Sequence, residues 1–318
     1  MEIPFFSVIV PTYQRPEPLK GCLAALSQLD YPRDRFEVIV VNDGDPTLSE
    51  SAIAPYRSGA KSNLNIQLLY QENTGPAGAR NTGAKRAKGT LLAFTDDDCR
   101  PTSNWLSAIA TYWNNHSTDE VFAVGGEVLN ALPNNLYSAA SQLHGDAVYA
   151  YFNRQQGDAT FFASCNFAVP REVYQRLGGF DERFPMAAAE DRAFCDRWLR
   201  EGYSLRYVPV ARVYHAHYLS FWRFIRQHFN YGRGAFFFHQ ARAYEAIPPV
   251  KTDLKFYWHL VTYPFKTAPF FRAVLLAALF VGCNLAKTAG FFWERLKQSF
   301  SALPFGVPQA KQLTDSTP

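Results

Sequence analysis

The sequence has no CxxC pair, and its five cysteines, Cys22, Cys99, Cys165, Cys195 and Cys283, are odd in number and widely scattered. That argues against a disulfide framework and a zinc site, and fits a reducing compartment. Charge of one sign is also lacking: 32 basic residues against 28 acidic ones leave a net charge of +4. So small an excess gives no polyanion signal, and nucleic acid is not an expected partner. The amino terminus runs from Met1 straight into Phe5 to Val10 with no basic n-region and no small-residue cleavage site, so no secretion signal is expected. Ala273 to Cys283 is continuously apolar but is bounded by Arg272 and interrupted by Asn284 and Lys287, short of the roughly 18 to 20 residues that span a bilayer. Two readings of it stand together: a membrane-surface or re-entrant helix, and a helix closing the core or a dimer interface. No internal repeat is seen. What is abundant is hydrophobic side chain, 47% of 318 residues, enough for one large domain with appendages or two modest ones.

The first half alternates short β-branched runs with helical patterns, the signature of βαβ units around a mostly parallel, Rossmann-like sheet. Ser7 to Val10 reads as a strand, and Pro16 to Leu29 as a helix with Leu19, Leu23, Leu26 and Leu29 on one face. Phe36 to Val41 and Asn65 to Tyr70 read as further strands. Gly75 opens a helix through Lys88 that Gly89 is expected to cap in the left-handed conformation. Thr90 to Phe94 is an apolar strand running into Thr95-Asp96-Asp97-Asp98. Carboxylates at the carboxyl end of a central strand lie where open α/β sheets bind ligands. Beyond Trp105 a small mixed sheet is expected, with strands at Val121 to Val128 and Phe161 to Val169 separated by a polar stretch holding Asn134, Asn135 and Gly145. A helix from Ala187 to Arg200 and short strands at Ser204 to Val208 and Arg212 to Tyr214 follow. The chain from Val307 reads as a disordered tail.

Adjacent carboxylates repel one another and are costly unless a cation compensates them. On an extended segment Asp96 and Asp98 point to one side, where two hard oxygens suit Mg²⁺ or Mn²⁺, and Asp97 points away. A solvated acidic turn is the equal alternative when the cluster is taken alone. Its context adds Pro11, Thr12, Tyr13 and Asp43 at neighbouring strand ends, where an aromatic ring and a carboxylate suit a nucleobase. Gly75 opens a helix whose free N–H groups suit anions, and Arg80 follows within reach of a phosphate or an aspartate.

Taken in order, Ser7 to Tyr13, Val40 to Gly44, Gly75 to Asn81 and Phe94 to Asp98 resemble the nucleotide-binding half of family 2 glycosyltransferases, over roughly residues 5 to 235. The resemblance implies a GT-A fold, a UDP-, GDP- or TDP-sugar donor, a divalent metal and inversion at the anomeric carbon. It further implies that Asp43 binds base or ribose, that Asp96 and Asp98 form the aspartate-any-aspartate motif with Asp98 as metal ligand, and that Asp97 supports them. Gly178 to Glu182 followed by Glu190-Asp191 resembles the acceptor-side loop and Glu-Asp motif, with Asp191 at the position of the general base. A carboxylate near a helix start is otherwise a common partner of orphan N–H groups.

One of His215 and His217 is placed to complete the metal shell, and similar sequences favour His215. The Gln-x-x-Arg-Trp motif of processive members is missing, with Gln227 to Tyr231 in its region, so a non-processive enzyme is expected. Aromatic residues from Trp222 to Phe238 interleave with Arg223, Arg226 and Arg233. They suit sugar stacking, diphosphate contact or anionic headgroups, and equally a helix packed on the catalytic domain. The expected organisation is a catalytic domain over 1–235, a helical extension over 236–305 and a tail over 306–318. The expected activity is sugar transfer to a saccharide or lipid-linked acceptor in surface polysaccharide or glycoconjugate synthesis, in the cytoplasm or at the cytoplasmic face of the membrane. The rivals are a catalytically silent sugar-nucleotide-binding subunit and a nucleotidyltransferase. The latter calls for a glycine-rich loop with a basic residue after the first strand, which Pro11 to Gln14 does not supply.

Overall fold

The computed structural model describes residues 3–45, 50–57, 64–116, 120–153, 159–249 and 253–300. Along the chain run β1 (Phe6–Thr12), α1 (Pro16–Leu26), β2 (Phe36–Asp43), α2 (Ala54–Arg57), β3 (Ile66–Gln71), α3 (Gly75–Arg86), β4 (Leu91–Phe94), β5 (Cys99–Pro101), α4 (Trp105–Asn115) and β6 (Phe122–Asn130). Then come α5 (Leu136–Phe152), β7 (Phe167–Pro170), α6 (Arg171–Arg176), α7 (Glu190–Arg200), β8 (Ser204–His215), α8 (Phe221–Tyr244), α9 (Leu254–Thr262), α10 (Pro264–Thr267) and α11 (Phe270–Phe300).

The strands form one eight-stranded sheet in the order β3-β2-β1-β4-β7-β6-β8-β5. The first four are parallel. β7 runs antiparallel to β4 and β6, β8 is parallel to β6, and β5 is antiparallel to β8. The mixed acceptor-side strands therefore continue the central sheet. β1 and β2 are buried at every position, the condition that makes parallel strands read as unbroken apolar runs. Alternation splits their side chains between two cores. Val8, Val10, Val38 and Val40 pack with Leu23 and Trp105, whereas Ile9, Ile39, Leu92 and Phe94 pack with Phe167, Phe180 and Trp198.

Several local expectations are corrected. Gly89 does not cap α3, which ends at Arg86 with Ala87 extended. Gly89 lies instead against β1, where a Cβ would come within 2.5 Å of the Ser7 nitrogen. That turn is fixed by the buried Glu37 carboxylate, which accepts from Ser7 Oγ at 2.6 Å and Lys88 N–H at 2.7 Å. The polar stretch around Gly145 is the 17-residue helix α5, started by Asn135 Oδ1 accepting from Ser138 N–H at 2.8 Å. Phe161 to Val169 is mostly not strand, since β7 begins at Phe167. The two short strands after Ser204 are one, β8, with an irregular register opposite Gly126 and Glu127. α7 begins at Glu190 because Ala189 is left-handed, with φ 70°.

The carboxyl-terminal helices pack on the sheet domain through α5 and α8. Cys283 and Leu276 of α11 lie with Ala140 and Phe224, and Phe280 with Ala147 and Leu260. α8 and α11 cross at glycines. A Cβ on Gly232 would lie 1.8 Å from the Lys287 carbonyl oxygen, and one on Gly290 would lie 2.0 Å from that of Phe229. α8 is unbroken from Phe221 to Tyr244, so the division expected at residue 235 falls inside a helix. α11 also departs from expectation, because the helix continues through Asn284 and Lys287. Phe270–Ser299 contains an 18-residue window of mean hydropathy 1.7, long and apolar enough by length and composition to cross a membrane. Residues 301–318, including the expected tail, lie outside the described residues.

Candidate active site

β1, β2 and β4 bring their carboxyl ends to one edge of the sheet. Thr12 Oγ1 donates to Asp97 Oδ2 at 2.8 Å, tying the end of β1 to the segment after β4. That segment closes as a turn, with Cys99 N–H donating to the Asp96 carbonyl at 3.0 Å. The side-to-side alternation expected of an extended run does not apply to it. Asp97 and Asp98 instead share one arginine, Arg15, at 3.0 and 2.5 Å, while Asp96 pairs with Arg80 at 2.7 Å. The mutual repulsion of the carboxylates is thus relieved by two guanidiniums from different elements. Sequence reasoning passes over Arg15, whose signal is a basic residue just past the end of β1.

His215 arrives through strand register. β5 and β8 pair with Cys99 opposite His215, and Ala216 N–H donates to the Asp98 carbonyl at 2.8 Å. The His215 Nε2 then lies 3.2 Å from Asp98 Oδ1. Burial opposes charge on His215, but the neighbouring Asp98 outweighs it and lifts the imidazole to about 9. Burial likewise opposes ionisation of Asp98, yet His215 and Arg15 hold its carboxyl well below the usual range. Asp97 goes the other way, pushed up to about 7 by burial despite Arg15. Among the described residues, His, Cys and carboxylate donor atoms within 4.8 Å of one another form two groups, Asp98-Cys99-His215 and Asp96-Cys99-Cys165. Burial raises the Cys99 thiol well above its ordinary value, leaving Asp98 and His215 as the readily available donors of the first group. The His217 ring lies 4.1 Å from that of His215, centroid to centroid, and neither of its ring nitrogens meets a hydrogen-bond partner among the described residues.

Asp43, at the end of β2, accepts from the N–H groups of Thr74 and Gly75 at 2.9 Å each and from Gln71 Nε2 at 2.7 Å. It acts as a cap, from another element, for the orphan donors that open α3. Arg80, one face further along α3 and only 3% exposed, joins Asp96 to Glu190 Oε1, the latter at 3.0 Å. Glu190 and Asp191 begin α7. Asp191 accepts from Arg192 N–H at 2.7 Å and Ser164 N–H at 3.4 Å. Burial raises both carboxyls, and on Glu190 the charge of Asp191 adds to the effect. Asn81 is a further positioning residue. Its Oδ1 accepts from Tyr174 Oη at 2.6 Å and Phe180 N–H at 2.9 Å, and its Nδ2 donates to the Phe180 carbonyl and Glu182 Oε1, both at 2.8 Å. It therefore fastens the Gly178 to Glu182 loop to α3.

Every donor-side, metal-side and catalytic candidate, from Pro11 to His215, lines one cleft of about 2530 Å³. That is larger than the roughly 300–1,000 Å³ of an ordinary small-molecule pocket. Its far wall is built by α5, α8, α9 and α11.

A family model described as glycosyl transferase family 2 matches residues 7–178, more than half of the chain. A second, described as the N-terminal domain of galactosyltransferase, matches residues 143–219. Glycosyltransferase AglE of Haloferax volcanii is 29% identical over 73% of this chain and 73% of its own length. The poly(ribitol-phosphate) beta-N-acetylglucosaminyltransferase TarS of Staphylococcus aureus is 33% identical over 36% of this chain, which spans only 20% of TarS. Among solved structures, the mannosyltransferase PcManGT of Pyrobaculum calidifontis, in complex with GDP-Man and Mn²⁺, superposes with a TM-score of 0.63 at 21% identity, covering 95% of this chain and 89% of that one. TarS residues 1–349 superpose with a TM-score of 0.51 at 18% identity, covering 96% and 94%. Strand order, strand-end chemistry and the family model agree: the chain has the GT-A fold and belongs to glycosyl transferase family 2.

Proposed function

We propose that the protein is a metal-dependent, inverting glycosyltransferase that moves a sugar from a UDP-, GDP- or TDP-sugar to a saccharide or lipid-linked acceptor. The observation that carries this reading is the meeting, in one cleft, of the Asp98–His215 pair with the Glu190–Asp191 pair. A carboxylate oxygen and an imidazole nitrogen fit a divalent ion, with the imidazole favouring Mn²⁺ over Mg²⁺, and the unpartnered His217 nitrogens lie close by. Asp98 and His215 would hold the ion, which would supply charge stabilisation for a departing diphosphate. The solved complex of PcManGT with GDP-Man and Mn²⁺ supports a divalent ion as the cofactor.

The chain's own groups do the rest. Asp191, its carboxyl raised by burial, takes the proton of the attacking acceptor hydroxyl. Arg80 pairs with Glu190 beside it and holds that carboxylate in place. Tyr13, exposed at the end of β1, offers a ring for the nucleobase. Asp43 meets base or ribose with the lone pairs that the start of α3 leaves free. Trp258, Phe270 and Phe271 are exposed on the outer face of the carboxyl-terminal helices, near Lys255, Lys266 and Arg272. That combination supports peripheral contact with an anionic membrane surface at the cytoplasmic face. The catalytic unit then runs through β8, and the extension begins with α8.

The test is release of nucleoside diphosphate from a panel of sugar nucleotides with Mn²⁺ or Mg²⁺. One donor class is expected to turn over, with a loss of at least about 100-fold in Asp98→Ala and no release in a chelator. Absence of turnover with every donor, together with unchanged nucleotide binding in Asp98→Ala, sinks the proposal.

A further inference from the structure

Away from the metal-side and Glu-Asp groups, the far wall of the cleft carries a second cluster of ionisable side chains. Lys287 of α11 places Nζ 2.9 Å from His144 Nε2 of α5, and the His144 ring lies 5.5 Å from that of His228 on α8. His144 is 5% exposed and His228 1%. All three line the cleft. Neither ring nitrogen of His228 meets a hydrogen-bond partner, and no carboxylate pairs with Lys287, among the described residues.

A helix crossing does not need this. The close approach of α8 to α11 is made by Gly232 and Gly290, and apolar side chains at positions 144, 228 and 287 would fill the same space without desolvating a cation. The cost is visible: burial pulls the Lys287 ammonium down to about 8, and burial reinforced by Lys287 holds both imidazoles far below their usual value. Lys287 is thus a buried cation set among two imidazoles, of which His144 accepts from it, with no carboxylate partner among the described residues. Arg223 and Arg226 of α8 also line the cleft, and the charge of Arg192 acts on Lys287 as well. Polar groups continue around the cluster, where Gln227 Nε2 bridges Ser141 Oγ at 3.2 Å and Tyr231 Oη at 2.7 Å.

The cluster also stands at a defined place relative to the chemistry. α5 touches the end of the His215–His217 segment through Ser138 Oγ, which donates to the His217 carbonyl at 2.5 Å. His144 follows six residues later, about 9 Å along the helix at 1.5 Å per residue. A group bound at Lys287, His144 and His228 is therefore in the same cleft as Asp191, with His217 near enough to His228 for its charge to lower that imidazole further.

We infer that Lys287, His144 and His228 form a subsite for a phosphate group carried by the acceptor. The inference rests on the transferase reading above and narrows its acceptor to one bearing a phosphate monoester or diester. The Lys287 ammonium, the ring nitrogens of His228 and the ring nitrogen of His144 that does not accept from Lys287 come from three helices and suit a tetrahedral oxyanion, which would supply a counter-charge and the partner for His228.

The experiment uses the full chain and two probes below their micelle concentrations, octyl phosphate and octyl β-glucoside, titrated calorimetrically. Titrations are run with and without Mn²⁺ and the nucleoside diphosphate selected by the donor panel. With the donor side filled, octyl phosphate is expected to bind at least tenfold tighter than octyl β-glucoside. Lys287→Met is expected to remove that difference while leaving nucleotide affinity within twofold. His228→Asn, which keeps a small polar side chain, serves as a second variant should Lys287→Met melt early, and is expected to weaken octyl phosphate at least threefold. Equal binding of the two probes, or undiminished octyl phosphate binding in both variants, overturns the subsite. So does displacement of octyl phosphate by the nucleotide, which assigns the cluster to the donor diphosphate. If no nucleoside diphosphate binds at all, the transferase reading fails, and the titration without nucleotide still decides the subsite.

Discussion

Asp98 is buried and Asp191 half-buried, and their environments drive the two carboxylates in opposite directions. Asp98 has an imidazole and a guanidinium on it and stays ionised, whereas Asp191 accepts, among the described residues, from two backbone N–H groups and is raised by burial despite the charge of Arg80. A raised carboxyl holds its proton to higher pH, and a base works only after losing it. Activity is therefore expected to fall on the acid side with an apparent pKa above the ~3.9 of a free aspartate, read as the acid limb of kcat/KM. Asp191→Asn should keep donor affinity and lose roughly 10²–10⁴-fold in kcat. A variant that loses donor affinity with kcat intact would put Asp191 on the donor side instead. The residues that sequence reasoning reached, Asp43, Arg80, Asp96 to Asp98, Glu190, Asp191 and His215, stand at strand ends or helix starts, where a local pattern marks them. Arg15 and Asn81 were given no role because no charge cluster or motif position singles them out locally and their partners are remote. Arg15 meets Asp98 across 83 positions and Asn81 meets Phe180 across 99, and no local periodicity encodes such a meeting.

The elements of the parallel half were legible because β1, β2 and β4 are buried on both faces and read as unbroken apolar runs. α5 was hidden for the opposite reason: its buried stripe consists of Ser138, Ala140, His144 and Ala147, small or polar residues that look like loop. β8 read as two short strands because Pro209 and its neighbours interrupt the apolar pattern at the irregular register. Gly232 of α8 and Gly290 of α11 are the crossing point itself. Gly232→Ala is expected to push the helices apart and cost about 1–3 kcal/mol, seen as a lowered Tm by calorimetry. Gly282→Ala, where an added Cβ meets nothing within 4 Å, should be neutral or stabilising by up to ~1 kcal/mol. Equal melting of Gly232→Ala and the parent protein would mean that α11 is not seated on α8 in this way.

On the scale of the whole molecule, α11 presents two different faces. Its inner side buries Cys283 and Phe280, and Glu294 meets Arg233 at 2.7 Å. Phe271, outside, is 88% exposed. Removing the helix to test membrane contact would strip the cover from Ala140 and Phe224, so substitution of the outer face is the cleaner experiment. Replacement of Trp258, Phe270 and Phe271 by serine is expected to move the protein from the floating to the soluble fraction with anionic liposomes, at unchanged Tm. Equal flotation of the parent and the triple variant would remove these side chains from any membrane contact. The glycine crossing has a further consequence for the order in which the molecule is completed. A chain emerging from the ribosome contains every donor-side residue once His215 has been made, but Lys287 reaches His144 only once α11 has itself been made. Nucleotide recognition is thus assembled first and the acceptor wall last, so a chain cut short before α11 carries the means to hold a donor without the wall that would select what receives the sugar.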